Sequence, residues 1–302
     1  MISRTRRRIG VCLGALAATL LLLVLAIESG VLVRWMAEPS DWVPEPMPDL
    51  EMTCTEQSDP IPWGLCVTRE PGSSSRDLLV HLHGRRGTAR WWNDKTYYTA
   101  ELYEHWRTAG VDPPTVVSIS FGPLWMLTDK TGAAFRESIL AQARARAEAV
   151  AGHEFSRIRL VGESMGGYNA LLAGLDADLP FDRVAALCPP LTTTSPFGAG
   201  LFSRFRESSV REGFMLLAFS RAFFEGDADW RQTDPVARVL AGEAFGPALF
   251  MSCGEHDPWG CLQGGQALTD AIGAQGGDVQ WRVLPEGHCA IDTEGLAAFL
   301  TD

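Results

Sequence analysis

The stretch Gly162-Glu163-Ser164-Met165-Gly166-Gly167 places a serine at Gly-x-Ser-x-Gly spacing, directly after the strand-like Ile158-Arg159-Leu160-Val161. A serine at a tight strand-to-helix turn has its hydroxyl exposed above the sheet, and a Cβ at either glycine would collide with neighbouring backbone. A helix beginning at Met165 aims its N-terminal amides at the same spot, where they can stabilise an oxyanion. The chemistry such a residue offers is nucleophilic attack on an acyl carbon.

A serine hydroxyl is a weak nucleophile at neutral pH and needs a base, which in turn needs an acid to fix its tautomer. His288, in Pro285-Glu286-Gly287-His288-Cys289, lies in a loop just after a late strand. Loops leaving the carboxyl ends of parallel strands share one edge of a sheet, so this histidine can reach Ser164. His81 and His83 sit at an earlier strand end, and His105 and His153 lie on helices or their ends, where packing is the expected role. The acid is expected between serine and histidine, at another strand end. Asp257, in Cys253-Gly254-Glu255-His256-Asp257-Pro258, fits, with Glu255 as the alternative; Asp292 reads instead as a helix cap. The second half of an oxyanion hole is expected from His83-Gly84-Arg85-Arg86-Gly87, the amide of Arg85 joining that of Met165. These roles call for neither metal nor cofactor, and no Cys-x-x-Cys or His-x-x-x-His spacing suggests a zinc site.

To bring those loops together, the chain must alternate strands and helices, and it does. Strands are expected over 77–82, 115–120, 157–162, 183–188, 247–253 and 279–284, with helices over 95–108, 133–151, 165–175, 264–274 and 293–300. That pattern predicts an α/β fold with a mainly parallel central sheet flanked by helices. The alternation breaks over residues 189–246, read as a helical insertion with a helical piece over 213–224.

With serine, acid and histidine in that chain order, residues 50–302 resemble an α/β-hydrolase fold enzyme, and the Gly-x-Ser-Met-Gly-Gly turn with its upstream His-Gly loop is similar to that of carboxylesterases. The resemblance implies that the insertion is a lid, in which Leu201, Phe202, Phe205, Phe214, Leu216, Leu217, Phe219, Phe223 and Phe224 either line an acyl pocket or anchor the lid to the core. His288-Cys289 also resembles the feruloyl esterase and tannase group, in which a cysteine beside the histidine pairs with one beside the serine. Here Glu163 occupies that place, a departure from the pattern.

The N-terminus carries Arg4, Arg6, Arg7 and Arg8 ahead of an unbroken apolar run over 9–27. That length suits a membrane-crossing helix, and the arginines place the following chain on the extracytoplasmic side, periplasmic or extracellular. It exceeds a typical cleaved signal core and lacks a clear small-x-small cleavage site, so a retained anchor is expected. Residues 1–30 then form the anchor, 31–48 a Pro-rich linker and 49–302 the hydrolase domain. Beyond residue 28 there are 22 basic against 36 acidic side chains, a balance that repels phosphate backbones and excludes nucleic-acid binding. The expected partners are a small-molecule or lipid ester and the membrane.

An extracytoplasmic address permits disulfides. Cys12 falls in the apolar run; among the other six, Cys54 with Cys66 and Cys253 with Cys261 are spaced for local bridges, leaving Cys188 with Cys289. Six cysteines allow fifteen pairings, and buried free thiols are the alternative. The reading reached is a serine hydrolase cleaving a carboxylic ester through an acyl-serine. Alternatives with the same residues are an acyltransferase or amidase, or an inactive binding module on the same fold.

Overall fold

The computed structural model describes residues 18–19, 21–22, 24–26, 30–198, 206 and 208–302. Its strands are β1 (Glu51–Gln57), β2 (Trp63–Arg69), β3 (Asp77–Leu82), β4 (Thr115–Ser120), β5 (Arg157–Glu163), β6 (Phe181–Leu187), β7 (Ala248–Gly254) and β8 (Val279–Leu284). They form one sheet in the order β1-β2-β4-β3-β5-β6-β7-β8. β1 and β2 pair antiparallel, β2 pairs antiparallel with β4, and every pairing from β4 to β8 is parallel.

Every residue of β3 is buried, which requires cover on both faces of the sheet. Leu78, Val80 and Leu82 face one hydrophobic core and Leu79 the other; Val117 and Ile119 of β4 likewise oppose Val116. The described helices are α1 (Val31–Met36), α2 (Tyr98–Ala109), α3 (Asp129–Ala134), α4 (Leu140–Ala151), α5 (Met165–Gly174), α6 (Val210–Phe223), α7 (Asp227–Thr233), α8 (Pro235–Leu240), α9 (Cys261–Ala274) and α10 (Thr293–Phe299). The single helix expected over 133–151 begins earlier and contains a π-turn, Phe135–Ile139, between α3 and α4.

The insertion is helical as expected. Ser209 caps α6 by accepting from the Glu212 amide, and Asp234 caps α8, with Pro235 opening it. The second oxygen of Asp234 accepts from the Tyr168 hydroxyl at 2.8 Å, which ties the insertion to the helix behind Ser164. Leu201, Phe202 and Phe205 lie outside the described residues.

The expected membrane span, residues 9–27, also falls mostly outside the described residues. Among those described, no helix is long and apolar enough to cross a membrane. The Pro-rich stretch that follows has no regular structure over 38–46, yet it is no free tether. Its backbone bonds to the body at Glu45 N–Asp94 Oδ2 (3.2 Å), Met47 N–Asn93 Oδ1 (3.0 Å) and Lys95 N–Glu45 O (2.8 Å), and Met36, Met47 and Leu50 are buried.

Among the described residues, two disulfides are present. Cys54 and Cys66 form the expected local bridge, as directly opposed partners in the β1–β2 ladder on either side of the turn over 58–62. Cys188 bonds Cys289 across 101 residues. The expected Cys253–Cys261 bridge is corrected: both are buried free thiols, packed as small apolar side chains where β7 ends and α9 begins.

Candidate active site

Ser164 stands between β5 and α5 at φ 52°, ψ −116°, a conformation few L-residues adopt. The turn closes only because Gly162 and Gly166 lack side chains: a Cβ on the first would strike the Gly166 carbonyl, and one on the second the Leu82 carbonyl. The Ser164 amide donates to Leu187 O of β6, fixing the turn to the neighbouring strand (2.8 Å).

The loops after β7 and β8 deliver the other two groups. Asp257 Oδ2 accepts from His288 Nδ1–H at 2.7 Å, and the vacant Nε2 faces Ser164 Oγ at 3.0 Å. The carboxylate side chain is wholly buried and its other oxygen accepts from the Trp259 amide at 2.8 Å. Both acceptor positions of Asp257 are thereby used, and the tautomer of His288 leaves Nε2 free to take the serine proton. Glu255, the alternative acid, is exposed. Asp292 caps α10 through the Gly295 amide.

The oxyanion loop follows β3. The amides of Gly84, Arg86 and Gly87 donate to Glu163 Oε1 (2.7 Å), Pro123 O (2.7 Å) and Gly84 O (3.0 Å). Among the described residues, the Arg85 amide is the one in this four-residue loop that meets no acceptor. Met165 opens α5, where an amide has no intrahelical acceptor. The structure thus brings Ser164, His288, Asp257, Met165 and Arg85 to one edge of the sheet.

Residues not singled out from sequence hold this loop. Buried Glu163 bridges the Gly84 amide and His81 Nε2 (2.9 Å), with the Tyr98 hydroxyl at 3.4 Å. His81 Nδ1 reaches Ser118 Oγ at 3.0 Å. His83 Nδ1–H donates to Gly84 O at 2.7 Å, and its Nε2 accepts from Ser120 Oγ at 2.8 Å. Burial pushes the His83 imidazolium from the usual 6.5 down to about 4, so the ring is neutral at pH 7. Burial, reinforced by the Glu163 charge, pushes the Tyr98 phenol well up. The sequence signal was an acid beside the nucleophile and a histidine in an apolar strand, both costly to bury unpaired.

Ser164 and His288 open onto a cavity of about 310 Å³ with a mostly apolar wall that includes Met36, Leu124, Leu216, Phe219 and Trp259. Of the insertion residues weighed from sequence, Leu216 and Phe219 reach it; Leu217 and Phe224 are buried elsewhere, and Phe214 and Phe223 are half-buried away from it. Cys289, beside the histidine, bonds Cys188 at the end of β6, where Leu187 is the register partner of Glu163. The disulfide therefore runs to the strand next to the serine, not to the serine's own neighbour.

Among the described residues, two groups of side chains have metal-ligand spacing. In Cys188, His288 and Cys289 the sulfurs are bonded to each other. In Cys253, Asp257 and Cys261 both oxygens of Asp257 are engaged, and burial pushes the Cys261 thiol well up, opposing the thiolate a metal needs. Neither set suits a cation.

The Esterase family model matches residues 141–258, from α4 through the serine turn to the Asp257 loop. No curated protein matches the chain. Among solved structures, a ferulic acid esterase superposes with TM-score 0.61 at 16% identity, covering 84% of this chain and 98% of that one. A Pyrobaculum calidifontis esterase gives 0.60 at 16%, covering 93% and 91%. Brefeldin A esterase, described as a bacterial homologue of human hormone sensitive lipase, gives 0.60 at 21%, covering 94% and 85%. By fold the chain is an α/β-hydrolase, its likeness is to carboxylesterases, and the enzyme class these comparisons support is carboxylic ester hydrolase.

Proposed function

We propose that the protein is a serine esterase that cleaves a carboxylic ester through an acyl-serine. The observation that carries this reading is the continuous Ser164–His288–Asp257 relay at the mouth of an apolar cavity. Ser164 Oγ attacks the carbonyl as His288 Nε2 takes its proton. The developing oxyanion is met by the amides of Arg85 and Met165, and His288 returns the proton to the leaving alcohol. Water, activated by the same histidine, releases the acid. Asp257 holds the imidazole and balances its transient charge.

The cavity's apolar wall supports an aliphatic or aromatic acyl group over a charged one. The arginine-led apolar run over 9–27 supports an enzyme anchored at a membrane with its catalytic body extracytoplasmic. The two disulfides accord with that address.

The test is labelling of the full chain with a fluorophosphonate alongside hydrolysis of p-nitrophenyl butyrate. An adduct on Ser164 and turnover, both lost in Ser164→Ala, are expected. Folded protein that takes no label and turns over no ester would leave the fold as a binding module. For the address, protease added to spheroplasts should digest the body of the protein; digestion only after lysis would reverse the topology.

A further inference from the structure

Residues 31–40, which lie shortly after the apolar run, pack against the site. α1 packs on α6 of the insertion, with Leu32 and Val33 against the main core. Met36, at its end, is 2% exposed and lines the cavity that Ser164 and His288 open onto. The same stretch grips the oxyanion loop. The Arg85 guanidinium lies over the Trp35 ring at 5.6 Å and its Nη1 donates to Met36 O at 3.4 Å. Arg86, at φ 67°, donates from Nε to Glu38 O and from Nη2 to Pro39 O, each at 3.0 Å, while Ser40 N donates back to Arg86 O at 3.1 Å. A tether that only spaced a membrane helix from an enzyme would need none of these contacts.

We propose that residues 31–40 are a specificity element of the ester site, in which Met36 closes the acyl end of the cavity and limits the length of aliphatic chain accepted. The inference rests on the esterase reading. His288 must protonate the leaving oxygen, so the alcohol departs on the histidine's side. Met36 is fixed to the oxyanion loop through Arg85 and lines the apolar cavity onto which Ser164 opens, where the acyl chain has room. A methionine is long and adaptable, and it fits as the stop of an apolar slot. The substrates are then esters of aliphatic acids, and the longest one tolerated is set by a residue outside the hydrolase domain that the sequence pattern delimits.

The experiment is a series of p-nitrophenyl esters from acetate to decanoate, assayed on the full chain in detergent micelles as wild type, Met36→Ala and Met36→Trp. Rates are normalised to the fraction of Ser164 that takes a fluorophosphonate. The ratio of kcat/KM for decanoate over acetate should rise about tenfold in Met36→Ala and fall about tenfold in Met36→Trp, the scale on which a few methylenes discriminate in an apolar pocket. Val43→Ser, a change at an exposed side chain of the neighbouring stretch, should leave that ratio where it is. A ratio unmoved by both Met36 variants, or one that shifts the same way in both, would overturn the proposal. Wild type that neither labels nor turns over any ester would instead bring down the esterase reading itself. Normalising by label separates a misfolded variant from a reshaped pocket.

Discussion

At the scale of single residues, the buried polar groups are held by partners, and the reactive atoms Ser164 Oγ and His288 Nε2 face each other. Asp257 spends both oxygens on His288 and the Trp259 amide, and so it can orient the ring without competing for the serine proton. Ser164→Ala or His288→Ala should lower kcat/KM on the order of 10⁴-fold or more, measured with p-nitrophenyl butyrate. Glu163 works one step back: its carboxylate holds the Gly84 amide, and with it the direction of the Arg85 amide. Glu163→Gln should lower kcat about tenfold or more with little change in KM, because the loss falls on the transition state. A matching rise in KM would place Glu163 in substrate binding instead. That Ser164, His288 and Asp257 meet, with Met165 and Arg85 lining the same cavity, was legible in sequence because a short turn, a strand end and chain order specify their positions. Glu163 and His81 were not, since their pairing joins residues 82 positions apart that meet only when β3 and β5 lie side by side.

At the scale of elements, most strands were readable because apolar runs buried on both faces leave a plain signature. The strand edges moved by a residue or two, and the helix expected over 133–151 hid a π-turn that leaves no mark in a 3.6-residue pattern. Proline content made residues 31–48 read as linker, but 31–36 form α1, and the bonds from Glu45 to Asp94 and from Met47 to Asn93 left no mark in the sequence. The cysteines show the same limit. Spacing favoured a bridge between Cys253 and Cys261 as much as one between Cys54 and Cys66, but only the latter pair is joined in the sheet. The Cys188–Cys289 bond clips the histidine's loop to β6. Replacing the pair as Cys188→Ala/Cys289→Ala should therefore lower kcat more than it lowers the fraction of folded protein at 25 °C. The comparison of turnover with circular dichroism checks this.

At the scale of the whole molecule, buried ionisable groups tie stability to pH and to pairing. His83 binds its proton near pH 6.5 when unfolded and only near pH 4 when folded, so between those values the unfolded chain holds more protons. Stability from this residue is complete above pH 6.5 and declines as pH falls towards 4, by about 3 kcal/mol in all. Urea midpoints measured at pH 7 and pH 4.5 should show that loss, and in His83→Gln the difference should shrink. At the opposite end of the sheet, Asp77 takes two bonds from Arg157 (2.7 and 2.8 Å) and one from buried Arg159 (3.1 Å). Asp77→Asn should cost about 3 kcal/mol in the same assay, since buried Arg159 then keeps only the longer pairing to Asp182 at 3.8 Å. The chemistry itself is addressed most directly by rapid quenching of the full chain with a slow ester, followed by mass mapping of the peptide that holds Ser164. The account predicts a transient mass increase equal to the substrate's acyl group on Ser164, absent in Ser164→Ala. Undiminished hydrolysis by Ser164→Ala, or an acyl adduct on any other residue, would contradict it.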